Sequence, residues 1–225
     1  MQAWVAIGYK GPDVLALRHL PLPRIGAHDV LIRVEATTVS AGDRRLRASD
    51  FPTGMGLLGR AFCGVTRLRR PVLGTELTGI VAAIGSAVAR FVPGDAVIAF
   101  PGAAVGGHAE YCRFSETGMI VPRPAGLPIE TAAALGFGGT TAMDYLRRAN
   151  CKAGERVLVV GVSGTVGSAR SNWLRRLGQE SARSRAAATR CWSVPLEPQR
   201  PSTMRFAMSP PSWRAGTLWP MLWAR

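Results

Sequence analysis

A chain of 225 residues, 47% of them hydrophobic, can bury a substantial core, and its length suits one large domain or two small ones. No apolar run reaches the roughly 20 residues of a membrane span, and the opening MQAWVAIGYKG lacks the charged start and apolar core of a secretory leader, so a cytoplasmic protein is expected. The net charge of +14 suggests nucleic acid, but it is uneven: residues 1–167 carry 18 Lys+Arg against 12 Asp+Glu, and residues 168–225 carry 10 against 2.

From Met1 to about Leu127 the chain runs in short β-type stretches separated by turn residues: WVAIGY, DVLIRVEATTVS, GTELTGIVAAIG, GDAVIAF and GGHAEYCRF. This pattern predicts a compact, mostly β domain over 1–127. PIETAAALGFGGTTAMDYLRRAN then changes the period, with helices expected from Ile129 to Leu135 and from Thr140 to Arg148, broken at Phe137-Gly138-Gly139. KAGERVLVVG adds a polar turn and a fully apolar strand, Arg156 to Val160, of the kind buried on both faces of a parallel sheet. Residues 128–167 therefore open a second, α/β domain.

The strand leads into Gly161-Val162-Ser163-Gly164-Thr165-Val166-Gly167, with glycines at GxxGxxG spacing. Gly161 permits a sharp turn, Gly164 lets backbone approach a pyrophosphate, and Gly167 lets the new helix lie close to the sheet, whose first N–H groups face the phosphates. The same residues could form a strand-to-helix turn with no ligand; the strand directly before them favours a dinucleotide site.

Beyond Ser168 the composition changes. Residues 168–225 contain no Lys, Asp, Ile, Tyr or His, and hold five of the six tryptophans, without a sustained period of two or 3.6. The helix after the glycine turn is not expected to continue, and 168–225 is expected to be a disordered or poorly packed tail. The four cysteines, Cys63, Cys112, Cys151 and Cys191, lack the paired spacing of a zinc knuckle or redox dithiol and are expected to be reduced and buried.

VLVVGVSGTVGSA resembles the cofactor turn of the medium-chain dehydrogenase/reductase superfamily, in its zinc-free branch of quinone oxidoreductases and enone reductases. The resemblance extends upstream through PVLGTELTGIVAAIGSAVARFVPGDAVIAF, GGHAEY and AAALGFGGTTAMDYL, so that it covers about 1–167. It implies an α/β fold: a GroES-like β domain followed by an incomplete Rossmann domain, with substrate and nicotinamide meeting between them. NADPH or NADH is the implied cofactor, held by Gly161, Ser163, Gly164, Thr165, Val166 and Gly167, with Thr141 near the nicotinamide. Thr141 could equally cap its own helix.

Ser40 and Asp43 would line the substrate cleft. Asparagine often stands in the family where Ser40 does, and Asp43 reads more readily as a turn residue or a partner of Arg44 or Arg45 than as an acid. His108 reads as a surface or barrel-edge residue, and no side chain declares itself a proton donor, so solvent could serve. Zinc alcohol dehydrogenases of the superfamily carry histidine before the glutamate where Thr75 precedes Glu76, and an upstream cysteine that VSAGD lacks; no zinc is expected. A small quinone or enone is the implied partner, and the parent family often dimerises. Membrane and nucleic acid are not expected; a basic nucleic-acid-binding or non-catalytic interaction protein is the alternative, although the tail matches no reader motif.

The tail can be read one base out of register. Asn172-Trp173 and Cys191-Trp192 then force Leu, Trp219-Pro220 forces Ala and Trp223-Ala224 forces Gly. Neighbouring junctions permit Val-Gln-Leu-Ala over Arg170 to Leu174 and Val-Val-Ala-Asp-Ala-Val-Gly over Thr217 to Ala224, similar to the family's next helix and a later strand. A shift of frame near Ser168 is the reading that follows. Sequencing the coding DNA across residues 160–225 and downstream is expected to reveal the rest of the cofactor domain in another frame; three frames without it would make the tail authentic.

Overall fold

The structure, a computed structural model, describes residues 1–51, 53–150, 157–161, 164–176, 181–184 and 205–206. Its contacts divide the chain into two compact units, Met1–Phe137 and Gly138–Arg225.

The first unit is built mainly of strands. β1 (Gln2–Ala6) pairs antiparallel with β2 (Leu15–His19), from Gln2 opposite His19 to Ala6 opposite Leu15, and touches the rest through isolated bridges to Val72 and Ala109. After β3 (Asp29–Thr37) come two helices, α1 (Ala41–Ala48) and α2 (Gly56–Cys63). β4 (Leu77–Ile84), β5 (Ala96–Ala99), β6 (Tyr111–Ser115) and β7 (Ile120–Pro122) complete a five-stranded antiparallel sheet in the order β6-β3-β4-β5-β7. The β-type runs that the sequence marks thus appear as β1, β3, β4, β5 and β6. β2 and β7 are added, as are both helices.

Period-two patterning explains this core. Along β3, Ile32 is buried while its neighbour Arg33 is exposed, and Val30, Leu77, Val81, Phe91, Val97, Ala99, Cys112 and Ile120 close around Ile32. Each large side chain in that set contributes about 1.5–3 kcal/mol on burial. α3 (Ile129–Ala133) packs on β3 and β4 with Ala132 and Ala133 buried. Burial pushes the Cys112 thiol up to about 11, and Cys63 is half-buried; both are free thiols. Cys151 and Cys191 lie outside the described residues.

The helix break falls at Ala134, not at Phe137-Gly138-Gly139, because α4 runs unbroken from Leu135 to Ala149. Its glycines serve close approach instead. A Cβ on Gly136 would sit 3.2 Å from Glu76 Oε2.

In the second unit β8 (Val157–Val160) is the middle strand of three, flanked by β9 (Ser181–Ser184) and β10 (Arg205–Phe206), both parallel to it. Val157 and Val159 are buried with Leu146 and Leu174, as a strand interior to a parallel sheet requires. α5 (Thr165–Arg176) corrects the expectation that the helix fails after Ser168. Gly167, Arg170, Ser171 and Leu174 fall at i, i+3, i+4 and i+7 and are buried together. Only Leu174 is a large apolar residue: the Ser171 hydroxyl donates to the Gly167 carbonyl at 3.1 Å, and the Arg170 guanidinium lies 4.7 Å from the Tyr145 ring centroid. A face made of one glycine, one serine and a stacked arginine hides its period from a hydrophobicity pattern. Beyond α5 the described part of the tail is β9 and β10, whose pairing with β8 departs from the expectation of a disordered or poorly packed tail; its other residues lie outside the described ones.

Glu116, after β6, fastens the first unit electrostatically. Its carboxylate accepts from the Ala89 N–H at 2.9 Å and the Arg90 N–H at 3.1 Å, with His28 Nδ1 at 3.3 Å. The Ala89 N–H, then that of Arg90 and the His28 ring, hold the carboxyl below its ordinary value. A lowered folded-state pKa stabilises the fold above the unfolded value and loses that contribution as pH falls through the folded one. Thermal melts are therefore expected to drop as pH falls below about 4.5, and Glu116→Gln to melt lower at neutral pH with a smaller acid-induced drop.

Candidate functional site

Ser40 and Asp43 stand together at the start of α1. The Asp43 N–H donates to Ser40 Oγ at 3.1 Å, while the Ser40 N–H and hydroxyl donate to Asp43 Oδ2 at 2.8 and 2.6 Å. This is a reciprocal capping box. The remaining carboxylate oxygen accepts from the Gly74 N–H at 3.0 Å. Asp43 is 2% exposed and its oxygens are consumed by backbone and hydroxyl donors, so it joins α1 to the residues before β4. Arg44 pairs with Asp50 at 2.8 Å instead.

Glu76 performs a similar task. Also 2% exposed, it accepts from the Thr38 hydroxyl at 2.5 Å and from the Phe137 N–H at 2.8 Å, and its own carbonyl accepts from the Thr37 hydroxyl at 2.8 Å. The Phe137 ring stacks on Phe100, centroids 6.2 Å apart. Both Glu76 oxygens are thereby engaged. Among the described residues no three His, Cys, Asp or Glu side chains cluster as metal ligands would.

Ser40 and Asp43 line an open cleft of ≈ 930 Å³ within the first unit, bounded also by Trp4, Leu17, Arg47 and His108. His108 Nε2 lies 2.9 Å from the Thr38 carbonyl. A carbonyl only accepts, so Nε2 is the donor of this bond. His108 is half-buried beside the isolated bridge between Ala3 and Ala109, and forms a wall of the cleft. Trp4 and Arg47 carry no motif; the available signal is that Arg47 follows Asp43 by four residues and shares its helix face.

The glycine turn lies in the second unit. Gly161 follows β8 with φ +74°, the left-handed region that glycine alone enters freely, and among the described residues nothing lies within 4 Å of where a Cβ would stand. The Gly164 N–H donates to the Gly161 carbonyl at 3.1 Å, and Thr165, Val166 and Gly167 form the first turn of α5, with Ser168 N–H donating to Gly164 at 2.9 Å. A Cβ on Gly138 would come within 2.5 Å of Thr165 Cγ2, so this glycine lets α4 approach the start of α5. Thr141 lies three residues on from Gly138, on the same face of α4. It is interior to that helix, which removes the capping alternative. Ser163 lies outside the described residues.

Glu76→Gln directs an amide at a hydroxyl or N–H donor and is expected to destabilise the first unit by about 1–3 kcal/mol. Asp50→Asn, at the exposed surface pair with Arg44, is expected to cost less than about 1 kcal/mol. Chemical denaturation of both variants measures the contrast.

Residues 26–147 match the alcohol dehydrogenase GroES-like domain. The chain is 32% identical over 189 residues to a quinone oxidoreductase of Rattus norvegicus, covering 79% of this chain and 52% of that protein. It is 31% identical over 176 residues to the chloroplastic NADPH-dependent alkenal/one oxidoreductase of Arabidopsis thaliana, covering 75% and 42%. The quinone oxidoreductase of Coxiella burnetii superposes with a TM-score of 0.70 at 26% identity, over 81% of this chain and 56% of that one. The chain spans about half the length of the curated relatives it matches. With a β-rich unit bearing the GroES-like pattern and a parallel-stranded unit opening on a glycine turn, the chain belongs to the quinone oxidoreductase-like branch of the medium-chain dehydrogenase/reductase superfamily.

Proposed function

We propose that the chain derives from a zinc-independent, cytoplasmic NAD(P)H-dependent oxidoreductase that reduces a quinone or an α,β-unsaturated ketone. The observation that carries this reading is the turn after β8, where Gly161 at φ +74° leaves open space over the backbone and Gly164 leads into α5. A dinucleotide diphosphate fits there. Gly161 offers no side chain to obstruct it, and the first N–H groups of a helix have no intrahelical acceptor. Gly161, Gly164, Thr165, Val166 and Gly167 would hold the diphosphate, with Ser163 in the same turn and Thr141 toward the nicotinamide. When bound, NAD(P)H supplies the hydride.

The cleft beside Ser40 and Asp43 would be the substrate side. Ser40 Oγ already accepts from the Asp43 N–H and donates to Asp43 Oδ2, so Asp43 positions Ser40 and does not itself move a proton. The chemistry of the donor set supports a reaction without zinc: Thr75 and Ser40 are poor ligands, and Glu76 is committed to Thr38 and Phe137. Conjugated acceptors suit such a site, since their developing charge spreads and a few hydrogen-bond donors can hold it. Water would supply the remaining proton.

The frame reading bears on activity. On that reading β9, which stands beside β8 where the family's next strand ends in its ribose-reading residue, carries frame-shifted residues, so weak or no cofactor binding and little turnover are expected. A fluorescence titration with NADPH is expected to show weak saturable binding that Gly164→Asp, placing a carboxylate against the diphosphate, weakens at least about tenfold. Binding indifferent to this substitution would remove the cofactor assignment; rapid saturable NADPH oxidation with a quinone would overturn the expected inactivity.

A further inference from the structure

The cleft of the first unit combines an apolar wall with a cation that its neighbours leave unanswered. Trp4 and Leu17 are each 50% exposed and Val39 is 84% exposed, all three along the same opening. Such a wall accepts an apolar body. The charged groups beside it are accounted for with one exception. Arg44 pairs with Asp50, Asp43 accepts from Ser40 and Gly74, Glu110 accepts from the Gln2 N–H at 2.7 Å, and His108 is held on the Thr38 carbonyl.

Arg47 is the exception. Its Nε is buried without a hydrogen-bond partner, and among the described residues its guanidinium forms no ion pair. Asp43, one turn earlier on the same face of α1, would be its natural counter-ion, yet the Asp43 oxygens are turned to Ser40 and Gly74. A guanidinium that lines a cleft without a counter-ion can take an acceptor from outside. The two terminal Nη groups of a guanidinium present parallel N–H bonds that match a carboxylate.

We propose that this cleft binds an amphiphilic carboxylate, its apolar body over Trp4, Leu17 and Val39 and its carboxylate on Arg47. The inference rests on the reading of the cleft as the substrate side, and narrows that substrate to a quinone or enone whose apolar tail carries a carboxylate. Arg47 is then a specificity-determining residue.

Calorimetric titration of the full chain with octanoate and with octan-1-ol tests this without turnover. Octanoate is expected to bind at least about tenfold more tightly, the size of one charge-assisted hydrogen bond. Arg47→Ala is expected to abolish that preference while leaving octan-1-ol binding in place. Should Arg47→Ala fail to fold, Arg47→Met, which keeps the packing of the stem and removes the charge, is expected to abolish the preference in the same way. Equal affinity for the two ligands, no binding of either, or a preference that survives these substitutions overturns the proposal. A chain that prefers octanoate but oxidises no NADPH keeps this inference and loses only the activity.

Discussion

Two carboxylates are buried in the first unit without an ion pair, and everything around the cleft depends on how they are satisfied. A lone buried charge is costly, so Asp43 and Glu76 are each surrounded by N–H and O–H donors. The donors come from Thr38, Ser40, Gly74 and Phe137, which are dispersed in sequence. Satisfying the two acids therefore fixes the segment after β3 against the start of β4 and the beginning of α4. A packed apolar contact could tolerate sliding; a carboxylate with a set number of lone pairs tolerates little.

That constraint also explains the chemistry the cleft presents. With Asp43 saturated by local donors, no acid remains on α1 to neutralise Arg47. Ser40 is held by the same box that caps the helix, so its hydroxyl direction is set before any ligand arrives. The glycine turn of the second unit works by a different rule, the removal of side chains: Gly161 for its backbone angle and Gly138 for the approach of Thr165.

Much of this architecture can be read from residue order. Alternation of Ile32 and Arg33 marks β3, and the apolar run at Val157 with the glycines after it marks the strand and turn of an α/β unit. Other features are hidden for physical reasons. Phe137-Gly138-Gly139 looks like a helix break, but Gly138 is a space for Thr165, as Gly136 before it is for Glu76, so α4 continues through them. The buried face of α5 uses Gly167, Arg170 and Ser171, which a hydrophobicity pattern scores as surface. The cleft gathers residues from Trp4 to His108, and no local pattern announces a wall assembled over that separation. Ser40 and Asp43 could be named in advance because they sit in one short motif, whereas Trp4 and Arg47 could not.

The dinucleotide site proposed at the turn after β8 can be tested by mapping backbone amide resonances of the isotopically labelled chain as NADPH is added. The largest shifts are expected at Gly161, Gly164, Thr165, Val166 and Gly167, where the diphosphate would meet backbone N–H groups. Shifts concentrated elsewhere, with these amides unmoved at saturation, would contradict it.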